Sequence, residues 1–163
     1  MDFDLMYMRM AVREAQSAAQ SGEVPVGALI VHPEKAVIGK AFNQVETLKD
    51  ATAHAEVLAI TQASQAMGDW RLENCTLYVT KEPCPMCAGA IAFSRIQRVV
   101  WGVSDPKRGG ETVFHILHSP HLVHRVECVP GVMEAECRED LRSYFQEVRA
   151  GKSKKAGEAD ESH

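Results

Sequence analysis

His54, Glu56, Cys84 and Cys87 are the residues of this chain whose types and spacing can do chemistry. They lie in two short stretches, Thr52-Ala53-His54-Ala55-Glu56 and Glu82-Pro83-Cys84-Pro85-Met86-Cys87. One imidazole and two thiolates are three strong ligands for zinc, which takes His nitrogen and Cys sulfur in tetrahedral sites. A structural zinc needs a fourth protein ligand, whereas a catalytic zinc keeps that position for water. The gap between Cys84 and Cys87 lets both sulfurs reach one metal. Glu56, two residues beyond His54, can face the same pocket without ligating. A carboxylate held beside a metal can take a proton from water and deliver it to a leaving amine. The spacing therefore favours catalytic over structural zinc. A redox pair is the competing reading of a C-x-x-C, but no thioredoxin-like context precedes this one.

The other candidate ligands read differently. Cys75, Cys128 and Cys137 are expected to be buried apolar residues. His115, His118, His121 and His124 recur every three residues, but Pro120 breaks any helix through them and no carboxylate or thiol joins them. Ordinary loop histidines are the default expectation there. Lys107-Arg108-Gly109-Gly110 could cradle a phosphate, although a loop needs glycine in any case.

The elements that must position these groups follow from periodicity. Residues 3–21 carry Leu5, Met8, Val12, Ala15 and Ala19 at helical spacing, and Gly22 ends the run. Residues 26–32 and 36–42 read as a β-hairpin around Pro33-Glu34-Lys35. Residues 43–50 read as a polar loop starting at Asn43, which points either at a site or into a turn. A helix over 53–67 is expected, with Thr52 as N-cap and Gly68 as its stop. Then come a strand at 76–80, a helix at 86–94 opened by Pro85, a strand at 99–102, a loop at 104–112 and a short helical turn at 113–117. A strand at 125–129 and a helix at 133–149 complete the series. This order predicts a three-layer α/β domain. The helical crossovers predict a largely parallel sheet with an antiparallel first hairpin. Both motif stretches fall at helix N-termini, where the partial positive charge favours thiolate.

Bulk properties narrow the class. With 163 residues, 45% apolar and 25% charged, the chain is expected to be one soluble domain over residues 1–150. A Lys-, Gly- and Glu-rich tail at 151–163 is expected to be disordered. No apolar run is long enough to span a membrane, and the acidic start Met1-Asp2-Phe3-Asp4 is not a secretory signal. Five cysteines, two of them in one C-x-x-C, argue for a reducing compartment, hence a cytoplasmic protein. A net charge of -4 argues against a large nucleic-acid footprint, but leaves room for a local one near Lys107-Arg108 or Lys152, Lys154 and Lys155.

His54-Ala55-Glu56 with Pro83-Cys84-Pro85-Met86-Cys87 matches the established signature of the zinc-dependent nucleobase deaminases. Further stretches bring the chain closer to the bacterial tRNA-specific adenosine deaminases, which it resembles over about residues 3 to 149. They include Glu23-Val24-Pro25-Val26-Gly27-Ala28, Ala51-Thr52-Ala53, Thr76-Leu77-Tyr78-Val79-Thr80, Ser94-Arg95-Ile96 and Glu136-Cys137. The resemblance implies a cytidine-deaminase-like fold with a central mixed five-stranded sheet, one Zn2+ per subunit on His54, Cys84 and Cys87, and Glu56 as proton shuttle. It also implies a homodimer acting on a tRNA anticodon loop. Asn43, Val24, Ala55 and the Glu82 backbone would contact the nucleoside, with Asp105 and Lys107 in the loop that tracks the RNA. The chain departs from the family pattern at Lys81, Ala51 and Gly110-Glu111-Thr112-Val113, where the Glu111 carboxylate would oppose a phosphate path. A free-base deaminase of guanine or cytosine on the same fold is the alternative.

Overall fold

The structure is a computed structural model that describes residues 1–122 and 124–151. The expected disordered tail, with Lys152, Lys154 and Lys155, lies outside the described residues except for Gly151. The elements run α1 (Phe3–Gln20), β1 (Gly27–His32), β2 (Ala36–Phe42), α2 (Val45–Leu48), α3 (Ala55–Met67) and β3 (Thr76–Lys81). Then follow α4 (Pro85–Phe93), β4 (Arg98–Val103), β5 (Glu127–Val129) and α5 (Glu134–Arg149). Among the described residues no helix is long and apolar enough to cross a membrane.

The five strands form one sheet in the order β2-β1-β3-β4-β5. The pairs β1–β2 and β1–β3 are antiparallel, while β3–β4 and β4–β5 are parallel. The sheet is thus mixed, with the antiparallel share larger than the crossovers suggested. The reason is topological: α3 does join two strands of the same direction, β2 and β3, but β1 lies between them and pairs with both.

Side chains alternate across the pleat. Ala28, Ile30, Leu77, Val79, Val99 and Trp101 enter one core cluster, shared with Ala59 and Ala63 of α3 and Ala88 and Ile91 of α4. Leu29, Val31, Tyr78 and Val100 enter the other, with Met8, Ala11 and Val12 of α1 and Cys137 of α5. Helices on both faces explain why β1 is a continuous apolar run rather than an alternating one. Three layers result: α3 and α4, the sheet, then α1 and α5.

Helix α1 is fastened at its N-terminus by charge. Asp2 caps it through Leu5 N at 3.1 Å. The Asp4 carboxylate accepts from Tyr78 Oη at 2.8 Å and from both Arg98 guanidinium nitrogens, at 2.7 and 2.5 Å. The Arg98 hydrogen bond is the main reason the Asp4 carboxyl lies below its usual value of 3.8. Because the folded value is the depressed one, this stabilisation is fully present above pH 3.8 and is lost as pH falls through the lower folded value. Asp4→Asn is expected to cost about 1 kcal/mol, a fall of roughly 2–4 °C in Tm, after allowance for partial exposure. Melting curves from pH 7 to pH 3 check this: the gap between wild type and variant closes at the acid end, and a gap independent of pH would contradict it.

Two loop expectations change. Residues 43–50 are not wholly irregular but contain α2. The buried Glu23 carboxylate accepts from Glu46 N (3.1 Å), Thr47 N (2.6 Å) and Thr47 Oγ1 (2.6 Å), capping that short helix from a distant part of the chain. Thr52 is not the cap of α3. Its amide and hydroxyl bind Asp50 Oδ1 at 2.8 and 2.7 Å, and His54 holds the N-cap position instead. The short helical turn expected at 113–117 does not form a helix.

Candidate metal centre and active site

Each half of the site is the first turn of a helix on the same face of the sheet. His54 is the N-cap of α3, with extended φ and ψ of −72° and 151°, and its ring makes no capping bond. Glu56 stands two residues further, in the first turn. Cys84 is the N-cap of α4, Pro85 takes the first helical position, where a missing N–H costs nothing, and Cys87 completes the turn. The two helix starts converge, so that His54 Nδ1 lies 3.6 Å from Cys84 Sγ and 3.5 Å from Cys87 Sγ. All three donor atoms fall within 4.8 Å of one another.

Those separations suit zinc. Bond lengths of about 2.0–2.3 Å at tetrahedral angles put neighbouring N and S ligands about 3.5–3.8 Å apart. The centre is enclosed, with His54 at 3% and Cys87 at 0% exposure. Among the described residues no other group of His, Cys, Asp or Glu gathers in this way. The donor set therefore fits a zinc ion with three protein ligands, which leaves a position for water.

The electrostatics without metal show how tightly these groups interact. A hydrogen bond from the Cys87 thiol, helped by His54, lowers Cys84 to about 4, so Cys84 is the thiolate of the pair. Cys87, as donor to Cys84 and buried, is pushed up. For His54, burial pulls downward, but the Cys84 hydrogen bond and the Glu56 charge outweigh it and raise the imidazole. Burial raises Glu56. Among the described residues its Oε1 and the Oδ1 of Asn43 find no hydrogen-bond partner, an expensive condition for buried polar atoms.

The other expected contacts are distributed around this centre. Val24 and Ala55 are fully buried. Asn43, at 1% exposure, donates its backbone N–H to Val26 O, and the backbone N–H of the next residue, Gln44, donates to Ala53 O, beside His54. Asp105 accepts from Lys107 N and Arg108 N at 2.9 and 3.0 Å and pairs with Lys81 Nζ at 3.5 Å. Burial opposes the ionised form of Asp105, but these partners hold its carboxyl below the usual value. Lys107 is exposed on the loop. The Glu82 amide donates to Val103 O at 2.8 Å.

Three expectations about this region are corrected. The sequence Lys107-Arg108-Gly109-Gly110 is no phosphate cradle, because all four backbone N–H groups are already given to Asp105 or Pro83. The glycines serve close approach instead. A Cβ at Gly109 would overlap the Glu82 carboxylate, and one at Gly110 would lie 2.6 Å from Ala88 Cβ and 2.9 Å from Cys84 O. The Glu111 carboxylate is already engaged within the chain, accepting from Leu117 N at 2.9 Å and pairing with His118 Nδ1 at 2.6 Å. That pair also corrects the statement that no carboxylate joins the histidine series. His124 Nε2 meets Ile96 O at 2.7 Å, so the series has no common focus. Cys75, Cys128 and Cys137 lie apart from the centre, with burial raising them to about 11, 12 and 12.

Sequence reasoning missed the side chains of Glu23 and Glu82. An acidic residue directly before an apolar strand start, or between a strand and Pro-Cys, is the signal that could have marked each as buried.

Comparison with known proteins agrees with this geometry. Residues 1–103 match the model of the cytidine and deoxycytidylate deaminase zinc-binding region. The chain is 47% identical over 154 residues to a tRNA-specific adenosine deaminase of Bacillus subtilis, covering 94% of both chains. It is 48% identical over 144 residues to that of Aquifex aeolicus, covering 88% of this chain and 94% of the relative. A solved structure from a study of A-to-I editing by tRNA deaminases at the wobble position superposes with a TM-score of 0.80 at 42% identity, over 83% of this chain and 99% of that one. The chain belongs to the zinc-binding cytidine and deoxycytidylate deaminase family, and within it to the tRNA-specific adenosine deaminases.

Proposed function

We propose that this protein is a zinc-dependent hydrolase that converts the wobble adenosine of a tRNA anticodon loop to inosine and releases ammonia. The observation that carries the proposal is the three-donor cluster of His54, Cys84 and Cys87 beside the buried, unpartnered Glu56 oxygen. Near-half identity to tRNA-specific adenosine deaminases supports the substrate.

His54 Nδ1 and the sulfurs of Cys84 and Cys87 would hold a zinc ion, which when bound would activate a water at neutral pH. Glu56 does the proton work. It accepts the proton of that water as the oxygen adds to the amine-bearing ring carbon, then gives a proton to the departing amine. Its burial favours the protonated form and makes it a better base than an exposed carboxylate. Asn43 Oδ1 is an acceptor awaiting a donor on the nucleoside. Val24 and Ala55 give the base apolar surroundings. Lys107 offers a cation to the RNA backbone, which Asp105 helps to position by bracing its loop. A base in an anticodon loop is already largely unpaired, so extruding it costs little.

The reading extends to a homodimer with one zinc per chain. Met86 and Phe93 of α4 are large, apolar and exposed, at 39% and 62%, and a second copy laid on α4 would cover them next to the site. A monomeric mass by sedimentation at assay concentration would contradict it. The substrate and the free thiols fit a cytoplasmic enzyme; cell fractionation checks this.

Incubation with anticodon stem-loop RNA, and separately with free guanine, cytosine and adenosine, tests the substrate. Inosine in the stem-loop with matching ammonia is expected. Turnover of a free base with the RNA untouched would establish the free-base alternative.

A further inference from the structure

We infer that the side chains of Glu23 and Glu82 are positioning residues, each holding one of the two loops that flank the metal centre and so governing how substrate is admitted. The inference rests on the proposed reading of the site.

Both carboxylates are buried, at 0% and 3% exposure, where an ionisable group is costly unless its oxygens are hydrogen-bonded. Among the described residues neither forms an ion pair. Each instead collects donors from one loop far along the chain. Glu23 takes Glu46 N, Thr47 N and Thr47 Oγ1. Glu82 takes Asp105 N (2.9 Å), Glu111 N (3.0 Å), Thr112 N (2.7 Å) and Thr112 Oγ1 (2.6 Å), closing the loop at both ends. Bonds between a carboxylate and backbone N–H are among the stronger ones. The two loops are also the ones that abut the metal ligands. The Glu23-held segment contains Gln44, bonded to Ala53 beside His54, and follows Asn43. The Glu82-held loop carries Lys107 and docks through Gly110 N on Pro83 O, beside Cys84. Gly109 lies so close to the Glu82 carboxylate that the loop is moulded on it. One buried glutamate thus supports each wall of the site without touching the reacting atoms.

Glu23→Gln and Glu82→Gln keep shape but replace one acceptor with a donor that faces N–H groups. Each is expected to speed hydrogen exchange in its own loop, 44–48 or 105–112, and not in the other. The KM for anticodon stem-loop RNA is expected to rise about tenfold, corresponding to about one lost charged hydrogen bond, with kcat changing less than about threefold and zinc content at wild-type level. Unchanged exchange, or a loss of kcat with KM unaltered, would overturn the inference, since the latter marks only a smaller folded fraction. Should either variant fail to fold, Thr47→Val and Thr112→Val remove one donor each and are expected to shift KM the same way by a smaller factor; no shift would overturn it. If wild type leaves the RNA unconverted, the substrate reading fails. The KM–kcat comparison is then made on whichever free guanine, cytosine or adenosine is turned over, with the same criteria.

Discussion

Glu56→Gln is expected to lower kcat by about 10³-fold or more, within or above the range typical of a lost general acid–base group, while zinc stays bound. The amide matches the carboxylate in size but can neither accept the proton from the attacking water nor return it to the amine. The side chain is 1% exposed and one of its oxygens finds no partner among the described residues, so it is held in the site with an oxygen free to take a proton. The protein itself should be unharmed or slightly stabilised, because burial already disfavours the charged form of Glu56. Metal analysis, a melting curve and a deamination assay on one preparation check the three parts. Loss of zinc with loss of activity would instead mean that Glu56 is a ligand.

Removing the metal is the second large effect. Cys87→Ser exchanges a buried thiol for a hydroxyl that does not ionise near neutral pH, and is expected to lose bound zinc and all measurable turnover. Chelation of the wild type should do the same reversibly, with activity restored by zinc and not by magnesium, which prefers oxygen ligands. It should also lower stability. At free zinc about a hundredfold above its Kd, binding contributes about 2.7 kcal/mol, so stripping the metal should lower Tm by roughly 5–10 °C. Atomic absorption and thermal melting before and after chelation check this, and an unchanged Tm would contradict a metal bound to the folded chain at these residues.

The ligands and the shuttle were legible in the sequence because they are local. His54 with Glu56, and Cys84 with Cys87, each lie within one helical turn, and a strand-loop-helix pattern before each stretch brings the two turns to one end of the sheet. The core was legible for the same reason, since α1, β1 and β3 announce themselves by period and by apolar runs. What escaped depends on contacts between distant parts of the chain. Residues 45–48 become helical because Glu23 caps them, and nothing near Val45 predicts it. The loop at 105–112 folds around Glu82, so glycines that looked suited to phosphate serve to clear a carboxylate. Glu111 is engaged by Leu117 N and His118, contacts six and seven residues along the chain. The sheet's second antiparallel pair was hidden because a helical crossover reports the direction of the strands it joins, not which strand lies between them. Thr52 was a reasonable cap by type, but Asp50 two residues earlier captures its hydroxyl.

The central claim, that His54, Cys84, Cys87 and Glu56 together direct water onto an adenosine held in a tRNA loop, is tested most directly in heavy-oxygen water. Anticodon stem-loop RNA is incubated there with the zinc-loaded protein, and the digested nucleosides are weighed by mass spectrometry. The account predicts inosine at the wobble position carrying one heavy oxygen, one ammonia per inosine, and neither product with Glu56→Gln. Inosine without the label, or equal conversion by Glu56→Gln, would contradict it.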